Sequence, residues 1–296
     1  MTLASRTILF WVSLATVLIT LLCWIFPLDL WLSGLFYAGP GAPERFPLGH
    51  AVPVQLIYHL IPVLTAVTAG LLGLMLIGPC MPMRWRHCWI LLAFTLALGP
   101  GLIVNAVMKP WWGHPRPVAV VEFGGTQDYV PPPLPGAAVR ARGFPSGHAA
   151  SAAASLALLF VWRRQRWLWL LSLGLIGLTA AGRLVAGGHF FSDLWWGVYL
   201  TYLCAWLASH GNRRWRWQRL LNSPQHHWRQ RTVGLLLVLA TIANLPLDHL
   251  LGATAAANQL LREESAIVIP FTVTTPRQER TKNDGHIATT AQPVTP

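Results

Sequence analysis

The sequence predicts an all-α fold, a polytopic bundle of membrane-spanning helices. Its 296 residues are 54% hydrophobic and only 11% charged, whereas about 25% of the residues in an ordinary soluble domain are charged. Apolar runs of about 18 to 25 residues recur along the chain, and each is long enough to cross a hydrocarbon core about 30 Å thick. One helical membrane domain therefore accounts for most of the chain.

The hydrophobic pattern predicts seven spans, of which six form the core and the seventh follows near the C-terminus. The first run follows Arg6 and exceeds the usual length of a signal-peptide core, so we expect it to remain as a span. The fourth run is short, and its helix should begin at the turn formed by Pro145 and Ser146. The seven runs are residues 7–26, 52–77, 89–108, 148–162, 167–187, 189–208 and 232–251.

The spans define two regions. We assign residues 1–251 to the membrane-embedded domain and residues 252–296 to an extracytoplasmic tail. From about residue 271 the tail is polar and lacks apolar periodicity, so we expect it to be largely disordered. Residues 109–145 are rich in Pro and Gly, and this segment should form an irregular loop that covers an opening between helices as a candidate lid.

Basic residues predict the orientation of the bundle, because cytoplasmic loops retain Lys and Arg. With the N-terminus inside, twelve of the 22 basic residues lie on the cytoplasmic side. The net charge of +12 does not indicate nucleic-acid binding, because most basic residues occupy short loops between apolar runs. The 16 Trp residues, several of them beside basic clusters, fit the aromatic belt at the bilayer interface.

The most informative polar segment is GRLVAGGHFFSD, residues 182–193. His189 and Asp193 are four residues apart, so on a helix they would share a face and the carboxylate could bond one imidazole nitrogen. That contact would set the tautomer and leave the other nitrogen as a basic lone pair. Two glycines at 187 and 188 permit a sharp reversal, which would return Arg183 toward the imidazole.

Two further segments are predicted at the same membrane face. In GFPSGHAAS, residues 143–151, Ser146 is a good N-cap, and the amides around Ser146, Gly147 and His148 should form an anion site at a helix N-terminus. In KPWWGHPRP, residues 109–117, Lys109 ends a span and Arg116 lies between two prolines that restrict its backbone. Together with Arg183, these cations supply the charged donors that a phosphoryl group requires.

Each of these residues, taken alone, also has an interpretation without a catalytic role. Basic residues at a membrane edge commonly extend to lipid headgroups, and a single histidine near a helix end is commonly structural. For His114 we expect a solvated loop histidine and not a substrate contact. The segment EFGGTQ, residues 122–127, could shape headgroup specificity or simply turn the chain. The three motifs occur in the expected order, and all are predicted at the same membrane face. This combination favours one functional site that the three motifs share.

In these motifs the chain resembles the type 2 phosphatidic acid phosphatase superfamily, which also includes bacterial acid phosphatases and vanadium haloperoxidases. All three family motifs are present, as K-x6-R-P, P-S-G-H and R-x5-H-x3-D. The resemblance covers about residues 109–193 and, through the helix order, the six-span core. At Gly182 the family often has serine, so a secondary phosphate contact is in question.

The resemblance implies that His189 attacks phosphorus to form a phosphohistidine, that Asp193 orients His189, and that His148 protonates the leaving oxygen and then activates water. It implies no cofactor and no metal, and only Asp193 among the ten carboxylates lies inside the motifs. The phosphate-binding groups that it implies are Lys109, Arg116, Arg183, Ser146 and Gly147.

The implied activity is a metal-independent lipid phosphatase in the cell inner membrane, with its site on the periplasmic face. Candidate substrates are phosphatidic acid, phosphatidylglycerophosphate, undecaprenyl diphosphate and the lipid A phosphates. The expected partners are this lipid and the surrounding membrane lipids, with no protein partner inferred. A lipid phosphotransferase is the main alternative; an oxidative enzyme like the haloperoxidases and a catalytically silent lipid-binding protein are less favoured.

Overall fold

The computed structural model of the chain describes residues 3–77, 83–136, 141–162 and 164–214, together with 254–256 and 258–259. The described residues form helices and loops and contain no β-strand, which confirms the predicted all-α fold. The seventh predicted span, residues 232–251, and the tail beyond residue 259 lie outside the described residues. The helices are α1 (Leu3–Ile25), α2 (Leu28–Gly34), α3 (Val52–Ile77), α4 (Met83–Leu96), α5 (Gly147–Ala153), α6 (Ala157–Val161), α7 (Arg166–Val185) and α8 (Phe191–Arg214).

Each of the six predicted spans in the described ranges coincides with helical structure. Within the described ranges, four helical stretches are long and apolar enough to cross a membrane, namely Arg6–Ile25, Val52–Met75, Cys88–Ala119 and Arg166–Val185. The stretch Gly147–Val161, formed by α5 and α6 with a short 3₁₀ turn between them, is a shorter apolar helix. The membrane character of the bundle is thus supported, while six or seven crossings remain a prediction.

The surface of the long helices is apolar where it faces outward. The side chains of Ile25 on α1 and Leu170 on α7 are 82% and 74% exposed. In a soluble protein such surfaces would be a liability, whereas hydrocarbon is a suitable solvent for them. The exposed apolar faces therefore agree with a helical bundle that lies in lipid.

The third predicted span extends further than its hydrophobic run. After α4 the chain continues as a π-helix over Ala97–Met108 and then as a last helical turn over Lys109–Trp112. Pro100 lacks an amide hydrogen, so the helical hydrogen-bond register must change near it. Lys109, predicted to end the span, lies instead inside a helix that ends at Gly113, whose φ of 56° suits glycine.

The centre of the bundle is the crossing of α5 with α8. Small residues such as Ala149 and Ala153 are fully buried there, and small side chains let helix backbones approach closely. On α8, a Cβ added to Gly197 would lie 2.6 Å from the carbonyl oxygen of Ser146. This close crossing places the start of α5 against the first turns of α8.

The loop between α4 and α5 is irregular, as predicted, with short 3₁₀ turns at Pro117–Ala119 and Val121–Phe123. Indole groups attach it to the helices: Trp24 on α1 donates to Pro132 O at 2.6 Å, and Trp112 donates to Pro133 O at 2.7 Å. The loop therefore packs onto the helix ends around the polar segments, and its action as a lid stays a prediction.

Candidate functional site

The three polar segments meet, as the sequence predicts. Backbone hydrogen bonds join the segments in pairs. These bonds hold the backbones that carry the functional side chains close together. The bonds run from Ser146 N to Asp193 O (2.9 Å), from Gly143 N to His114 O (2.8 Å) and from Val118 N to Gly187 O (3.2 Å). The side chains predicted for the site are thus carried on one connected backbone framework.

His189 and Asp193 approach each other, but not in the way the spacing suggested. The structure places His189 in a bend before α8, which begins at Phe191, so the predicted shared helical face is wrong. The reason is that Asp193 Oδ2 accepts the amide hydrogen of Phe190 at 2.8 Å and so holds the chain ahead of the helix. His189 Nδ1 nevertheless lies 3.6 Å from Asp193 Oδ2, with both side chains buried.

Arg183 returns toward His189 across the glycine pair, which confirms the predicted reversal. Gly187 has a φ of 60°, and the amides of Gly188 and His189 donate to Arg183 O at 3.0 and 3.3 Å. A Cβ added to Gly188 would lie only 2.4 Å from Arg183 Nη2. The guanidinium therefore occupies the space that a side chain at position 188 would need.

Ser146 is the N-cap of α5, as predicted, and its hydroxyl accepts the amide of Ala149 at 3.4 Å. Gly147 follows in the first turn, where an added Cβ would lie 2.7 Å from Asn105 Oδ1 and 3.0 Å from Lys109 Nζ. A side chain at position 147 would displace the ends of both side chains from these positions. The Lys109 ammonium is therefore held beside the start of α5.

Tyr58 on α3 connects His148 with Arg183. The His148 ring stacks on the Tyr58 ring with centroids 5.0 Å apart, and His148 Nε2 donates to Tyr58 O at 3.2 Å. The Arg183 guanidinium lies over the Tyr58 ring, 4.7 Å from its centroid. No sequence motif contains Tyr58, so pattern reasoning did not find it.

An open cavity of about 490 Å³ lies beside Arg116 and Arg183, within the range of about 300–1,000 Å³ typical of small-molecule sites. Arg116 is exposed, consistent with a donor that reaches a ligand. The cavity wall is polar and mixed in charge. Its other polar lining residues are Glu44, Arg45, His50, Gln55 and Tyr58.

The electrostatic environment of His189 disfavours protonation of its imidazole. Burial lowers the pKa of its imidazole well below the ordinary value, and the positive charges of Arg183, Lys109 and Arg116 lower it further. A neutral imidazole retains a lone pair. The cation cluster thus provides both an unprotonated nitrogen and a positive field suited to an anion.

His114 differs most from its prediction. We expected a solvated loop histidine, but the His114 side chain is fully buried, with Nδ1 3.5 Å from Asp193 Oδ1. The one available signal was its position inside the KPWWGHPRP motif, between Lys109 and Arg116. The expectation was wrong because the loop folds back onto α8, a contact that sequence spacing does not encode.

Comparisons with known proteins agree with the geometry. Residues 88–217 match the family model described as the PAP2 superfamily. The chain is 30% identical over 129 residues to a lipid A 4'-phosphatase of Francisella tularensis subsp. novicida, covering 42% of this chain and 58% of that protein. It is 41% identical over 119 residues to a lipid A 4'-phosphatase of Rhizobium leguminosarum, covering 38% of this chain and 51% of the relative.

The chain thus spans about half the length of the curated relatives that it matches. No solved structure matches it. The family match begins in α4 and includes the three motifs and all of α8, so it covers the segments that the backbone hydrogen bonds join. Residues 88–217, a little less than half of the chain, are therefore similar to the PAP2, or type 2 phosphatidic acid phosphatase, superfamily.

Proposed function

We propose that this protein is a membrane lipid phosphatase that hydrolyses a phosphate ester through a phosphohistidine at His189. The observation that carries the proposal is the buried, neutral His189, which has Asp193 at its Nδ1 side and a cluster of cations around it. A nucleophile, a group that orients it and a positive anion site are the parts that covalent phosphoryl transfer needs.

In the first step, His189 Nε2 attacks phosphorus, and the bond from phosphorus to the lipid oxygen breaks. The electron pair of that bond goes to the leaving oxygen, which takes a proton from His148. The contact of Nδ1 with Asp193 leaves Nε2 as the attacking atom. In the second step, water activated by His148 attacks the phosphohistidine, and phosphate and His189 are released.

The transition state carries negative charge on three equatorial oxygens. In the proposal, these oxygens receive hydrogen bonds and charge from the side chains of Lys109, Arg116 and Arg183 and from the amides at Ser146 and Gly147. The support is positional: Lys109 lies beside Gly147, and Arg183 lies against Gly188 one residue before His189.

For the substrate we favour a lipid whose phosphate is attached to a sugar, as in lipid A. Both quoted relatives are named lipid A 4'-phosphatases. The cavity beside Arg116 and Arg183 also contains Glu44 and Gln55, whose oxygens can accept hydrogen bonds from sugar hydroxyls. Such a lipid lies in a membrane leaflet, which fits our proposal that the site faces the periplasm from the inner membrane.

The first test is phosphate release by the detergent-purified protein from lipid A, phosphatidic acid, phosphatidylglycerophosphate and undecaprenyl diphosphate, with EDTA present. We expect release to persist in EDTA and to be fastest from lipid A. Release only from another lipid would overturn the substrate assignment, and loss in EDTA that magnesium restores would overturn metal independence. Release that requires an added lipid acceptor would establish a phosphotransferase instead.

A further inference from the structure

Three buried polar atoms meet around Asp193 without a hydrogen-bond partner within the described part of the chain. They are His114 Nδ1, His189 Nδ1 and Asp193 Oδ1. Asp193 lies between the two imidazoles: Oδ1 is 3.5 Å from His114 Nδ1, and Oδ2 is 3.6 Å from His189 Nδ1. Because the exposed fraction of each of these residues is at most 1%, bulk water does not satisfy these atoms.

The tautomer of His114 follows from its other ring nitrogen. His114 Nε2 lies 2.8 Å from Val130 O, and a carbonyl oxygen can only accept, so Nε2 carries the hydrogen. In a neutral His114 with that tautomer, Nδ1 presents a lone pair. Asp193 Oδ1 lies 3.5 Å from Nδ1 and in a carboxylate is also an acceptor. A hydrogen bond between these two atoms therefore requires a proton between them.

We propose that His114 is a positioning residue that shares one proton with Asp193 Oδ1 and thereby holds Oδ2 toward His189. The inference deepens the proposed phosphohistidine mechanism and rests on it for its effect on turnover. The proton can reside on either partner, since a cationic imidazole beside a carboxylate and a neutral imidazole beside a carboxylic acid both satisfy Nδ1 and Oδ1. Either way, Oδ2 remains free to accept from His189 Nδ1 and Phe190 N.

The other groups around Asp193 do not provide this contact. The neighbouring buried carboxylate, Asp29 on α2, is engaged by α8 and the loop, since it accepts from the Ser192 amide at 2.9 Å, the Ser192 hydroxyl and the Tyr129 hydroxyl at 3.2 Å. Lys109 and Arg116 act on Asp193 only through their charge. Among the described residues, His114 is thus the group placed to satisfy Oδ1.

Two substitutions at position 114 separate the contact of His114 with Asp193 from its hydrogen bond to Val130 O in the loop. A glutamine amide reaches about as far as Nε2, so His114→Gln can keep the bond to Val130 O while it removes the atom that faces Asp193. An asparagine amide reaches about as far as Nδ1, so His114→Asn can donate to Asp193 Oδ1 while it loses Val130. We expect His114→Gln to lower kcat roughly tenfold or more with little change in KM, and His114→Asn to retain more of kcat.

A double-mutant cycle with Asp193→Asn completes the test, with kcat on lipid A and the midpoint of thermal unfolding as its two measurements. If His114 acts through Asp193, His114→Gln should cost little in either measurement once Asp193→Asn is present. Additive effects in both measurements, or a His114→Asn protein with lower kcat than His114→Gln, would overturn the proposal. The double-mutant cycle in unfolding midpoints detects the contact between His114 and Asp193 even if the wild type releases no phosphate. Failure of the proposed function can therefore be told apart from failure of the proposed contact.

Discussion

Replacing His189 with alanine is expected to reduce phosphate release from lipid A by at least about 10⁴-fold. The reason is that, in the proposed mechanism, the substitution removes the atom that forms the bond to phosphorus. In the same proposal, Lys109, Arg116 and Arg183 are cations that attract the phosphate but do not attack it. The measurement is single-turnover release with the purified protein, together with detection of an acid-labile phosphoenzyme in the wild type.

The matched control is His210→Ala, which makes the same change on α8 at about 28 Å along the helix axis from its first residue. His210 stacks on Trp206, and its Nδ1 donates to Trp206 O at 2.7 Å, within the same helix turn. We expect this variant to keep near wild-type turnover. Substantial release by His189→Ala, or an equal loss in His210→Ala, would contradict a phosphohistidine at position 189.

Replacing Asp193 with asparagine is expected to lower kcat by about 10² to 10⁴-fold while KM changes little. The amide oxygen can still accept from Phe190 N, so the start of α8 should be preserved. In the proposed mechanism, the amide cannot supply the negative charge with which the carboxyl group would orient His189 Nδ1 and stabilise the positive charge developing on the imidazole during attack. The substitution leaves Lys109, Arg116 and Arg183, the proposed phosphate-binding side chains, unchanged, which is why binding should persist.

Asp128→Asn serves as the control for this prediction, because Asp128 is an exposed residue of the α4–α5 loop. Steady-state kinetics on lipid A should show wild-type kcat for Asp128→Asn and the large loss only for Asp193→Asn. An Asp193→Asn protein with unchanged kcat and raised KM would assign Asp193 to substrate binding instead of the orientation of His189.

Local features of the site were predictable from the sequence. Ser146 caps α5 because a serine before a helix accepts a first-turn amide, and this requires only neighbouring residues. The reversal that brings Arg183 near His189 uses the positive φ of Gly187 and the absence of a side chain at Gly188, and both glycines are visible in the sequence. The apolar helices were predictable from composition and run length, since apolar surface is stable in contact with lipid wherever it lies on a helix.

Contacts between distant segments were not predictable. The burial of His114 depends on the α4–α5 loop folding onto α8, and the contacts of Tyr58 depend on where α3 lies beside α5 and α7. The start of α8 at Phe191 was also missed, because a capping bond from Asp193 outweighed helical periodicity. The sequence by itself determined which residue types are available to the site and which turns carry them. The turns depend on backbone preferences of neighbouring residues. Only the tertiary structure decided which side chains surround Asp193, because desolvation and close packing act between residues far apart in the chain.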